Sequence, residues 1–363
     1  MVKHVNNNHA TRAYSGEALK ERLPDLSEPF PSGVVSDEIA LAYGRRHVCK
    51  LIDVVSLPSS DLPENELHRA LRYLLSILTN QESKAEAVSL NTAAPVAALL
   101  KRDDPETRRL ACETLAALAH SLDGRKSAND ADAPSACTAL LKDDDGAVRV
   151  AAAGFLAAMA KHSDGAAYVM SAAEGGVVAA LAAAANDDES SHVAKTLACE
   201  TLALCTLTDD GVLVALRGGT AVHLMRALER EEARTHTAFR AAVARCLKNV
   251  CQHETGKIQA FEKDVVVSLA PLLRSRDADV RLQATGALMG VTTENDAKLA
   301  VMKAARNDLA ALLRDPTAAV AENALAILQN CCESPAAKKL ALEVLSARDQ
   351  ALVLNPQVVG VSY

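Results

Sequence analysis

Carboxylates, thiols and imidazoles cluster at a few points of this sequence, and each cluster can be tested against the chemistry it would need. Asp143-Asp144-Asp145-Gly146 resembles part of a calcium loop. An EF-hand, however, needs an oxygen ligand two residues before Asp143, where Leu141 stands, and a bidentate Glu at its twelfth place, where none follows. Di-iron centres on helical arrays are built from repeated His-Glu dipeptides, and this chain has one, His253-Glu254. Cys331 and Cys332 are adjacent and would face different sides of a helix, and Cys246 and Cys251 are poorly aligned, so neither pair makes a metal site. The nine cysteines read as small, buried, reduced thiols. The ten histidines are dispersed, five of them (His4, His9, His47, His68 and His120) in the first third of the chain. No His–Asp–nucleophile set, phosphate-binding glycine loop, HExxH or GxSxG motif occurs. The expectation is a protein that is no enzyme, with no cofactor, no metal and no small-molecule substrate.

The elements that carry these residues are repeats. The string LACETLA stands at residues 110–116 and again at 197–203. Its flanks recur as well: LLKRDDPETRR, LLKDDDGAVRV, LLRSRDADVRL and LLRDPTAAVAE. A basic residue falls at Arg108, Arg149, Lys195, Arg240 and Arg281, with Ala321 in the sixth slot, at steps of 41, 46, 45, 41 and 40. Seven positions after each stands a leucine: Leu115, Leu156, Leu202, Leu247, Leu288 and Leu328. A helical period of roughly 40–47 residues is the HEAT/armadillo signature. The predicted fold is all-α, a right-handed α-solenoid of six to seven armadillo/HEAT-like repeats, with a core of Leu, Ala and Val and only 2% aromatic residues.

Two features point to three-helix armadillo units. Gly-Gly pairs in EGGVVAALAAA and RGGTAVHLMRAL mark a left-handed break between a first and a second helix. After each Asp-rich turn, spacing such as Val148, Ala152, Phe155 and Met159 traces one apolar face of a longer third helix. The recurrent cations at Arg108, Arg149, Arg240 and Arg281 have two readings, a ladder for acidic ligands or ties to neighbouring repeats. The second is favoured, because repeat arrays depend on such ties. Residues 1–32, rich in Pro and Asn, read as an extended arm, 33–350 as the array with a first helix capped by Ser36, and 351–363 as a C-terminal tail. The net charge of −7 gives no basic footprint, so nucleic acid is not expected as a partner. Neither a secretory leader nor a membrane-spanning segment is expected, which predicts a cytoplasmic or cytoskeletal protein.

Armadillo import adaptors present Trp and Asn ladders on their third helices. Those slots here hold Ala116, Ala157, Ala203, Lys248, Met289 and Gln329, and then His120, Lys161, Leu207, Gln252, Thr293 and Glu333. Neither ladder exists, so basic import signals are not expected ligands by that mechanism. The polar members of the second set, His120, Lys161, Gln252, Thr293 and Glu333, twelve residues beyond the basic slot, are the predicted partner-binding positions on the third-helix face.

In order along the chain, SDEIALAYGRRHVCKL, DADVRLQATGALMGVTTENDAKLAVM (with Gly286-Ala287-Leu288-Met289) and AENALAILQNCCESPAAKKLAL resemble segments of the radial spoke head 14 family of motile cilia and flagella. The resemblance covers about residues 33–345 and implies a scaffold subunit of the axonemal radial spoke. Its partners would be other radial spoke proteins and proteins of the doublet microtubules. The alternative is a general armadillo adaptor in cytosolic signalling or transport.

Overall fold

The computed structural model describes residues 47–57, 62–230 and 235–354. The arm at 1–32, the helix start at Ser36 and residues 355–363 of the tail lie outside them; residues 351–354 close the last helix. The chain divides into two compact units, Met1–Met159 and Ala160–Tyr363. Every regular element among the described residues is helical.

In the first unit α1 (His47–Val55) precedes α2 (Glu64–Ile77), α3 (Gln81–Ser89), α4 (Ala93–Leu99), α5 (Pro105–Leu118), α6 (Leu122–Asp130), α7 (Ala133–Leu140) and α8 (Gly146–Ala160). The second unit holds α9 (Ser163–Ser171), α10 (Gly176–Ala184), α11 (His192–Cys205), α12 (Asp209–Arg217), α13 (Thr220–Glu229) and α14 (Thr237–Gln252). It continues with α15 (Glu254–Glu262), α16 (Val265–Leu269), α17 (Ala278–Val291), α18 (Asn295–Leu312), α19 (Ala318–Cys332), α20 (Pro335–Val344) and α21 (Ala347–Leu354).

The repeat follows from local rules. Each first helix (α3, α6, α9, α12, α15) is nine residues long. Most start at a side-chain cap: Asn80, Ser121, Thr208 and His253 each accept the amide of a residue two or three places on. At Gly124, Gly211 and Gly256 a Cβ would lie 2.0, 1.8 and 2.1 Å from a carbonyl oxygen of the preceding third helix, so glycine lets the first helix sit on that helix end. A left-handed residue then breaks the chain: Asn91, Asp132, Gly175, Gly219 and Asp264, φ 53° to 84°. Gly, Asn and Asp are the residues that adopt this conformation most cheaply. The expected Gly-Gly breaks are two of these five positions.

One of the breaks interrupts the run Ser163–Ala184, which is long and apolar enough to cross a membrane. Ala173, Glu174 and Gly175 are all left-handed, so the run forms two nine-residue helices rather than one. The pattern changes near the end. No left-handed residue falls within α18, and the first and second helices fuse into one of 18 residues. That repeat is a two-helix unit.

Third helices stack on third helices, α2 on α5 in the first unit, and α11, α14, α17 and α19 in succession in the second. Leu115, Leu156, Leu202, Leu247, Leu288 and Leu328 are all fully buried. On α17, Gly290 faces the Cys251 carbonyl of α14, where a Cβ would lie only 2.4 Å from the oxygen. The backbones meet there without side chains between them. Leu156→Asp or Leu288→Asp buries an unpaired carboxylate and is expected to remove about 4 kcal/mol or more of stability in chemical denaturation. Gly290→Val is expected to remove about 1–3 kcal/mol, because a backbone carbonyl cannot rotate aside as a side chain would. Parental midpoints for these variants would show the register to be misplaced.

Candidate interaction surface

The repeated cation sits in the first turn of each third helix. The Arg108 fork donates to Asp143, Nε to Oδ2 at 2.8 Å and Nη2 to Oδ1 at 2.9 Å. Its Nη1 donates backward to the carbonyls of Arg102 and Asp103. Arg281 repeats the arrangement on Asp315, at 2.6 and 3.0 Å, and on the carbonyls of Ser275 and Arg276. Arg149 makes the same backward bonds, to Asp143 and Asp144. Each arginine therefore closes its own turn, and Arg108 and Arg281 also grip an aspartate in the turn of the next repeat. The carboxylates are nearly out of water, with the Asp143 and Asp315 side chains 6% and 4% exposed. Lys195 is buried and Arg240 half-buried. Ala321 brings no cation; there Arg314 reaches Asp349 instead.

A first rung went unread in the sequence. Forty residues before Arg108 stands His68, whose Nε2 lies 2.7 Å from Asp104 and 3.0 Å from the Thr107 hydroxyl. With Leu74 set against Leu115, ENELHRALRYLLSIL and PETRRLACETLAALA place His68 opposite Arg109, one position beyond the basic slot. Burial works against ionisation of Asp104, but the Thr107 hydroxyl and amide and His68 outweigh it and hold its carboxyl below the usual range. Arg109 draws Glu106 down to about 2, with Arg72 assisting. Arg281 likewise holds Asp315 low.

A second tie runs along the opposite ends of the helices. Lys257, in the first turns of α15, bonds Glu294 and the Thr293 hydroxyl, both at 3.0 Å. Lys298 of α18 bonds Glu333 at 2.5 Å. Thr293 and Glu333, read from the sequence as partner-binding, are thus held by the preceding repeat. All five residues of that set (His120, Lys161, Gln252, Thr293 and Glu333) are exposed. They stand at the C-terminal end of the third helix or in the turn after it, not along its face, because these helices stop ten to twelve residues beyond the basic slot. A third tie joins third helices directly. Asn249 donates to the Ala203 carbonyl at 2.8 Å and to Thr206, and Asn330 to Thr292 at 3.2 Å.

Most of the thiols are buried. Cys246 and Cys251 are fully buried, and Cys331 is buried while Cys332 is half-buried. Burial pushes Cys205, Cys246 and Cys251 up to about 12, far from the thiolate a nucleophile needs.

A family model described as HEAT-like repeat matches residues 237–288, the span from α14 to α17. No curated protein matches the chain at a significant level. Among solved structures the chain is similar to an engineered protein, at 22% identity over 87% of this chain and 74% of that one, with a TM-score of 0.72. It is also similar to a designed armadillo repeat protein in complex with the peptide (KR)4, at 18% identity over 67% of this chain and 99% of that one, TM-score 0.59. Computationally designed armadillo repeat proteins for modular peptide recognition match to the same extent, with 18% identity and a TM-score of 0.59. The chain is an α-solenoid of armadillo/HEAT-like repeats.

In this solenoid the ties make their own predictions. Glu333→Lys faces the nearly buried Lys298 ammonium with a like charge, and is expected to remove about 1–2 kcal/mol in denaturant titration. An unchanged midpoint would return Glu333 to the set of free surface positions. Asp315 has a folded-state pKa below its unfolded value near 3.9, so its stabilisation is present above about pH 4 and lost as pH falls through the folded value. The melting temperature of the parent is therefore expected to drop on going from pH 5 to pH 3, and Arg281→Met to drop less. Parallel profiles would contradict the assignment.

Proposed function

We propose that this solenoid is a protein-interaction scaffold without catalytic activity, serving as a subunit of the radial spoke of the ciliary or flagellar axoneme. The observation that supports a scaffold is the use of its charged groups. Arg108, Arg281, Lys257 and Lys298 are spent on ties from one repeat to the next rather than gathered around a reacting centre. The buried thiols are inert for the reason already given. What remains for partners is the exposed surface of stacked helices, the part of repeat proteins that serves recognition.

The axonemal assignment rests on the resemblance of three ordered segments to the radial spoke head 14 family. The string Gly286-Ala287-Leu288-Met289 among them lies where α17 packs closely on α14. A general peptide-binding adaptor is the second reading, favoured by the likeness to armadillo proteins designed for peptide recognition. Against a basic-peptide version of it stands the absence of Trp from the chain and the Ala116, Ala157 and Ala203 slots.

A fluorescently tagged copy, expressed in a flagellated cell lacking the endogenous protein, separates the two. The expected result is a signal along the flagellum that survives detergent extraction of the axoneme. A uniform cytosolic or nuclear signal, lost on extraction, would overturn the axonemal reading and leave the adaptor.

A further inference from the structure

The lysine ties recur at a fixed place, four residues after the cap of a first helix. That slot holds Lys84, Arg125, Lys257, Lys298 and Lys338, after Asn80, Ser121, His253, Glu294 and Ser334. Ala166 and Val212 interrupt the series. Where the tie is complete, the ammonium meets a glutamate of the next repeat, Glu294 for Lys257 and Glu333 for Lys298. Lys257 and Glu294 are 37 residues apart, and the same interval from Lys84 falls on Ser121. The carboxylate is missing.

Lys84 is nevertheless only 7% exposed, and no acid or other polar group among the described residues bonds it. It lines a cleft of about 460 Å³ between α3 and α6, with Ser121, Asp123, Lys126, Ser127 and Asp130 among the walls. The stem of Lys84 is packed away while its ammonium opens into the cleft, where a ligand that supplies a counter-charge gains a charge-assisted hydrogen bond. The cleft lies within the size range of sites for small ligands and single side chains.

We infer that this cleft is a binding site for a carboxylate side chain of a partner protein, which completes in trans the tie that Glu294 and Glu333 complete in cis. The carboxylate meets the Lys84 ammonium, with Lys126 as a further donor, whereas the Ser121 and Ser127 hydroxyls already donate to the Leu118 carbonyl and to Asn91. Asp123 and Asp130 offset the two lysines, so the site takes a single acidic residue in a polar setting and not a polyanion. The inference names a contact for the proposed scaffold and rests on that reading for its partner, but not on the axonemal location.

Binding of acetyl-Ala-Glu-Ala-amide and acetyl-Ala-Gln-Ala-amide to the full chain, by calorimetry, tests it. The Glu peptide is expected to bind at least about tenfold more tightly than the Gln peptide, the scale of one charge-assisted hydrogen bond. Lys84→Met is expected to remove that preference without lowering the melting temperature, since no partner in the folded chain is lost. Ser121→Glu supplies the carboxylate internally and is expected to abolish binding, read by calorimetry alone because the same substitution removes the Ser121 cap of α6. Equal binding of the two peptides, or a preference that survives both substitutions, would overturn the inference. Sodium acetate binding as tightly as the Glu peptide would overturn it too, by making the cleft a small-anion site. Failure here leaves flagellar localisation unaffected, so the two readings fall separately.

Discussion

A guanidinium group carries five donors in one plane, and the fold depends on where those donors go. The turns into α5 and α17 leave carbonyls pointing outward, and the turn of the following repeat presents an aspartate nearby. Arg108 and Arg281 satisfy both at once, with one nitrogen on two carbonyls of their own turn and the others forked onto the next aspartate. Lysine offers no such planar fork. Because the acceptors Asp143 and Asp315 are almost wholly shielded, removing either partner leaves a charge stranded in a poorly solvated place, which costs several kcal/mol.

The other features of the repeat serve the same stacking. Leucines seven residues along fill the space between third helices, and glycines near the start of first helices let them approach the preceding helix end. Left-handed Asn, Asp or Gly turns the chain from first to second helix. In α18 that turn is absent, and the unit reverts to a helix pair. The chain thus contains both geometries, three-helix units and a two-helix one, and the HEAT-like family match at residues 237–288 falls on the three-helix part.

Much of this was legible in the residues. A period of 40 to 46 positions, the leucine seven beyond each cation and the Gly-Gly breaks sufficed for an all-helical solenoid. What escaped had physical reasons. His68 makes the first tie with an imidazole and stands one position beyond the basic slot, so a search for Arg or Lys in register passes over it. Asp132 and Asp264 make the same left-handed turn as Gly219, yet nothing in an isolated Asp distinguishes that role from a cap. The lysine ties lie on first helices and are interrupted at Ala166 and Val212, which hides their period. The partner set falls at or just past the ends of the third helices, where Thr293 and Glu333 are exposed and also bond the preceding repeat, a tie that no spacing along one helix reveals.

The claim that forked arginines couple neighbouring repeats is tested most directly by a double-mutant cycle on Arg281 and Asp315. Unfolding free energies of the parent, Arg281→Ala, Asp315→Ala and the double variant give the coupling. The account predicts about 1.5–3 kcal/mol of coupling, with the double variant less damaged than the sum of the singles, as a nearly buried, two-point charge pair implies. Additive losses, with coupling within about 0.3–0.5 kcal/mol of zero, would contradict it and reduce the pair to a contact without consequence.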